Sequence, residues 1–156
     1  MAKYNLKELD NLEKGRYGEG LIKLKFRHYG FDIYDSKEIG NSMGFRAKKD
    51  SDYYDVRVRT ARKLTNVYLK KQKVPLEENT LLALVIFRED MNHDFYLIPL
   101  TIWKNPDNVF VSRNFDKEGQ VSDPEWAINL SQKNLSHLEP YRFVNTISRI
   151  LQFRKK

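Results

Sequence analysis

The amino-acid sequence predicts one α/β domain built on a central mixed β-sheet flanked by helices. Three observations carry this. The first thirty residues place leucines at helical spacing. Tyr54, Val56 and Val58 then alternate with Asp55, Arg57 and Arg59. Farther on, an unbroken apolar run at residues 81–87 is followed, after a polar turn, by a second strand-like segment at 94–99. A length of 156 residues fits a single unit, residues 1–156, and 13% aromatic residues give it the apolar area to offset chain entropy.

Each element has its own signal. Over residues 6–29, Leu9, Leu12, Leu21, Leu24 and Phe26 recur near the helical period with charged residues between them. Gly15, Gly18 and Gly20 oppose a helix there, which predicts a point of close packing or a break; Gly30 is a natural end. Residues 31–34 read as a short strand, 36–42 as a polar connection and 45–48 as a second strand. Residues 53–60 give the clearest strand pattern, with the two valines on one face and Asp55, Arg57 and Arg59 on the other. The run at 81–87 has the composition of a strand buried on both faces, and 94–99 pairs with it as a hairpin. Strands at 109–112 and 126–130, a loop at 114–124 and a C-terminal helix over 140–153 complete the pattern. Trp103, Trp126 and Tyr54 are expected to pack inside; Tyr53 and Tyr68 lie within the most basic stretch, where exposed rings stack on bases.

Composition narrows the chemistry. The chain lacks cysteine, so disulfides, thiolate metal sites and cysteine nucleophiles are excluded. No apolar run reaches bilayer length and the first residues do not resemble a signal peptide, so a soluble, cytoplasmic protein without a membrane partner is expected. His28, His93 and His137 are scattered without metal-ligand spacing. Phosphate-cradling glycine loops and serine-hydrolase elbows are absent. The net charge is +7, and ten basic against three acidic residues between Arg46 and Lys73 account for all of it. Such concentration suits a polyanion-binding face, although a solvated lysine-rich surface has the same composition.

Gly18-Glu19 on the first helix, the turn-rich stretch from Gly40 to Arg46 and the strand from Tyr54 to Thr60 follow one another in a telling order. Together with Leu84-Val85-Ile86-Phe87 and Tyr96-Leu97-Ile98-Pro99, this order resembles the PD-(D/E)xK nuclease superfamily, in particular its restriction-endonuclease-like and archaeal Holliday-junction-resolvase-like branches. The resemblance covers residues 12–103. It implies a restriction-endonuclease-like sheet and a nuclease centre in which acids hold Mg²⁺ or Mn²⁺ and a lysine activates water.

Transferred to this chain, it implies Glu19, Asp55 and Arg59 as the catalytic positions and Glu19 with Asp55 as the metal ligands. The pattern departs from the family at two places. Where a second-strand Asp is expected stand Asn41, Ser42, Gly44, Phe45 and Arg46, and Arg57-x-Arg59 replaces the acid-x-lysine pair. Arginine neither ligates a cation nor gives up its proton at working pH. Reading the strand as Asp55-Val56-Arg57 restores one carboxylate but not the lysine. The resemblance therefore implies a degenerate centre that keeps a surface for DNA or RNA, with DNA preferred, formed by Arg57, Arg59, Arg62, Lys63, Lys70 and Lys71, and needs no cofactor. Three alternatives stand beside it. One is an active Mg²⁺- or Mn²⁺-dependent endodeoxyribonuclease. Another is a protein-interaction module of a defence or restriction system, as a homodimer or with a protein partner. The last is a structural cluster in which Arg57 and Arg59 pair with Glu19 and Asp55.

Overall fold

Seven consecutive residues, from Thr80 to Ile86, are all buried, and the protein is layered around them. The computed structural model describes residues 9–35, 44–115, 117–119 and 121–154. In chain order these form α1 (Asn11–His28), β1 (Asp32–Tyr34), β2 (Gly44–Lys49), β3 (Asp52–Ala61), β4 (Val67–Lys70), β5 (Thr80–Ile86), β6 (Asp94–Pro99), β7 (Phe110–Arg113), β8 (Glu125–Ile128) and α2 (Phe143–Arg154). Short 3-10 helices occupy Lys71–Lys73, Leu100–Lys104 and Lys133–Tyr141. The predicted connection at 36–42 lies outside the described residues.

The main sheet has the order β1-β2-β3-β5-β6. It is mixed: β3 and β5 run parallel, and every other neighbouring pair is antiparallel. β2 and β3 are joined by a two-residue turn whose Asp50 adopts a positive φ of 55°, a conformation Asp tolerates better than most residues. The predicted β5–β6 hairpin is present, with Ile86 opposite Asp94. A second sheet, in the order β4-β8-β7, joins β4 to residues nearly sixty positions later. β4 has no counterpart among the predicted strands.

Alternation along the strands divides the interior in two. Val56, Val58, Leu81, Ala83, Val85 and Leu97 pack with Ile22 and Phe26 of α1 and Ile147 of α2. Leu82, Leu84, Ile86, Tyr96 and Ile98 point the other way, against Val67, Leu69, Phe110 and Ile128 of the second sheet and Trp103. Trp103 is in the core as expected, its indole N–H donating to the Ala127 carbonyl at 3.1 Å. Tyr54 is only half-buried, packed at the rim of the first core.

α1 starts at a capping box: Glu13 N donates to the Asp10 carboxylate at 2.8 Å, and Asp10 N to that of Glu13 at 3.2 Å. It ends in a Schellman motif, with Gly30 at φ 86° and the Phe31 N–H reaching the Phe26 carbonyl at 3.1 Å. The Phe26 and Phe31 rings meet edge to face at 5.3 Å, the hydrophobic contact that usually accompanies this motif. The close approach expected among the glycines occurs at Gly18, where a Cβ would overlap the Thr60 methyl of β3. Gly20 faces open space.

The free edge of β6 is covered. The Thr146 hydroxyl of α2 donates to the Leu97 carbonyl at 2.6 Å, and Tyr96 bridges to Arg142. Asp94 accepts from Arg88 Nε at 2.8 Å and from Arg142 Nη1 at 3.2 Å, tying the hairpin to the start of α2. Burial pushes the Asp94 carboxyl up, but these two guanidiniums outweigh it and hold it below the ordinary carboxylate range. The predicted C-terminal helix thus begins at Phe143, not at residue 140: Pro140 belongs to the preceding 3-10 stretch. None of the described helices is long and apolar enough to cross a membrane.

Two predictions follow from these contacts. Gly18→Ala is expected to cost about 1–3 kcal/mol by forcing α1 off the sheet. Gly20→Ala should gain about 0.5–1 kcal/mol; urea unfolding of both variants measures the opposite signs. Asp94→Asn should lower stability at neutral pH by about 1 kcal/mol. Because the folded-state pKa is depressed, Asp94 stabilises the native state above its ordinary value of about 3.9 and ceases to do so as pH falls below it. Wild type and variant should therefore converge in acid melts.

Candidate nucleic-acid interface

The site begins with the alternation of β3. Since Val56 and Val58 pack toward α1, Asp55, Arg57 and Arg59 face the second sheet. The strand pattern predicts that these residues share a face but says nothing of its burial. The turn at residues 71–74 and the free edge of β4 close over it, and Arg57 is only 5% exposed. The result is a groove whose floor is Arg57 and Arg59 and whose walls carry Tyr68, Lys70 and Lys73, with Glu125 at the margin. Its cavity is about 280 Å³.

Neither floor arginine has a carboxylate partner among the described residues. Arg57 Nη2 donates to the Lys73 carbonyl at 2.7 Å, while its buried Nε has no hydrogen-bond partner. Arg59 Nη1 donates to the Val58 carbonyl at 2.9 Å, and its Nε lies 3.4 Å from the Tyr68 carbonyl on the β4 edge. Burial pulls the pKa of Arg57 down, partly opposed by the charge of Asp55. Burial also lowers that of Arg59, and the neighbouring Arg57 charge lowers it further. Both remain protonated at working pH. The fold therefore holds two adjacent cations in a place that disfavours charge.

Asp55 relieves Arg57 only in part and bonds neither arginine. Arg46 stands directly opposite it on β2 and grips both carboxylate oxygens, Nε at 2.8 Å and Nη2 at 3.2 Å. The Arg46 guanidinium also lies over the exposed Tyr53 ring at 4.1 Å. Glu19 is on the opposite side of the sheet, paired with Lys23 at 3.2 Å, and Lys23 in turn approaches Asp35 at 3.6 Å. The structure thus brings Asp55, Arg57 and Arg59 together and leaves Glu19 apart. These residues do not fit a divalent cation: the two candidate ligands face opposite layers, and Asp55 is already held bidentate by a guanidinium. Among the described residues no three His, Asp or Glu side chains are grouped to hold a metal.

The outer basic residues separate as well. Lys70 lines the groove and approaches Asp123 at 3.5 Å. Lys71 bonds Ser112 Oγ and Asn114 Oδ1 and sits over the Trp126 ring at 4.1 Å, so Trp126 anchors a lysine at the sheet margin. Arg62 is paired with Glu89 at 2.8 Å, and Lys63 is exposed. Lys73 and Glu125 were not among the expected site residues. Lys73 was visible within the basic window, but its place in the wall depends on a turn that spacing does not reveal. His93 packs among Tyr17, Phe87 and Phe95, with Nδ1 accepting the Arg88 N–H at 2.8 Å; it is half-buried at the β5–β6 turn, remote from the groove.

The Arg46–Asp55 pair should couple energetically. Arg46→Gln and Asp55→Asn are each expected to destabilise by about 1 kcal/mol, with the double variant little worse than either. Chemical denaturation of the four proteins measures this, and strictly additive losses would contradict the pairing.

No family model and no curated protein matches this chain.

Proposed function

We propose that this protein binds nucleic acid without cutting it, with backbone phosphate seated on Arg57 and Arg59. The observation that carries this reading is the burial of Arg57 beside Arg59 with no carboxylate bonded to either guanidinium among the described residues. A buried cation is costly unless paired, and a phosphodiester oxygen is the acceptor that a guanidinium fork matches best. Lys70 and Lys73 add charge along the same walls.

The sequence resemblance to PD-(D/E)xK nucleases supports the same reading, as a degenerate member of that superfamily with DNA as the preferred ligand. Arginines occupy the positions where the metal ligand and the lysine are expected, and the mixed sheet backed by α1 is compatible with such a fold. The separation of Glu19 from Asp55 favours binding over hydrolysis.

The test is fluorescence anisotropy with labelled DNA, single-stranded and duplex, at about 50 and 200 mM salt. Arg57→Met with Arg59→Met should weaken binding at least tenfold and reduce the salt slope by roughly 1.5. Because both charges are disfavoured where they lie, Arg57→Met alone should leave the melting temperature unchanged or raise it. Unaltered binding accompanied by loss of stability would make the arginines structural and overturn the proposal.

A further inference from the structure

The depth of the groove restricts what can enter it. A second cavity of about 320 Å³, lined by Asp55, Gln72 and Thr80, shares Arg57 and Lys73 with the first, and the 2.7 Å hydrogen bond from Arg57 to the Lys73 carbonyl stands between the two. The two compartments differ in charge. The first holds four cations and the single carboxylate of Glu125; the second adds Lys71 to the shared pair but also Asp55 and Glu77. Phosphate is favoured in the first. The second offers the mixture of donors and acceptors that the edge of a base or a sugar hydroxyl requires.

A duplex carries its phosphates on a broad, stiff cylinder and cannot deliver one to a guanidinium that is almost wholly enclosed. A single strand is narrow and flexible enough to follow a groove, and its bases are free to stack. A stacking surface is already in place. Tyr68 is 40% exposed at the wall of the first cavity. Its hydroxyl accepts from Asn66 Nδ2 at 3.2 Å, and the Arg113 guanidinium lies 5.6 Å from the ring centroid, so the ring is positioned before any ligand arrives.

Resting on the nucleic-acid reading above, we infer that the groove is specific for single-stranded nucleic acid, with one backbone phosphate on Arg57 and Arg59 and an adjacent base stacked on Tyr68. The two cavities, one on each side of the Arg57–Lys73 contact, accommodate the nucleotides that flank that phosphate.

The experiment compares a labelled oligothymidine of about 12 nucleotides with a duplex of the same length, by anisotropy, on the full chain. The single strand should bind at least tenfold more tightly. Tyr68→Ala should weaken single-strand binding about tenfold, leave duplex binding unchanged and be rescued by Tyr68→Phe. Thymidine monophosphate, which carries one phosphate and one base, should compete far more weakly than the oligonucleotide. Equal binding of both probes, sensitive to Arg57 and Arg59 but indifferent to Tyr68, would overturn the single-strand inference and leave the nucleic-acid reading standing. Failure of both probes to bind would overturn both.

Discussion

Everything in this fold answers to the burial of β5 on both faces. A strand that reads Thr-Leu-Leu-Ala-Leu-Val-Ile gains roughly 1.5–3 kcal/mol for each large side chain removed from water, but only if a layer covers it on each side. The helices α1 and α2 cover one side. Among the described residues there is no further long α-helix, and the second side is covered instead by a small sheet, β4-β8-β7, with Trp103 between the layers. β3 is hydrogen-bonded to β5 in parallel register, so whatever covers Leu82, Leu84 and Ile86 also extends over Asp55, Arg57 and Arg59. The enclosure of Arg57 is thus a consequence of completing the core next to it.

This coupling explains why the groove is both basic and narrow. Val67 and Leu69 turn inward to finish the second core, and the intervening Tyr68 and Lys70 are left to face the solvent beside the arginines. β4 is paired with β8 on one edge only, and its other edge meets Arg59 through the Tyr68 carbonyl. The groove is the seam between a sheet edge and a sheet face.

Much of this was legible from local pattern. The alternation at β3 and the solid apolar run at β5 were unambiguous because each is dictated by its own side chains. The glycines illustrate a finer point. Gly18 lies four residues before Ile22 and shares its inward face, whereas Gly20 is about 200° around the helix from Gly18, so the period itself separates the close contact from the exposed position. β4 was missed for a physical reason. It is four residues long, sits in a basic tract, and is stable only because β8 pairs with it from far along the chain. Arg57 was legible as a face but not as a buried residue, since its burial depends on that same distant pairing and on the turn that follows β4. The start of α2 was misplaced because Pro140 suits a first helical turn equally well in a 3-10 segment.

The pairing of Arg46 with Asp55 argues against the structural cluster in which Arg57 and Arg59 would pair with Glu19 and Asp55. A carboxylate two residues before Arg57, on the same face of the same strand, is the natural counter-charge for it. Arg46 stands closer, directly across the ladder, and satisfies both oxygens, while Arg57 receives only the long-range field of that carboxylate. Glu19, the other acid that a structural cluster would need, is separated from the arginines by the sheet. A buried guanidinium without a hydrogen-bonded carboxylate is costly to the fold. On the proposed reading, the partner that Arg57 lacks inside the protein is a phosphate from outside it. Arg46, by gripping both oxygens of Asp55, then acts on anion affinity without lining the groove: it keeps that carboxylate from pairing with Arg57.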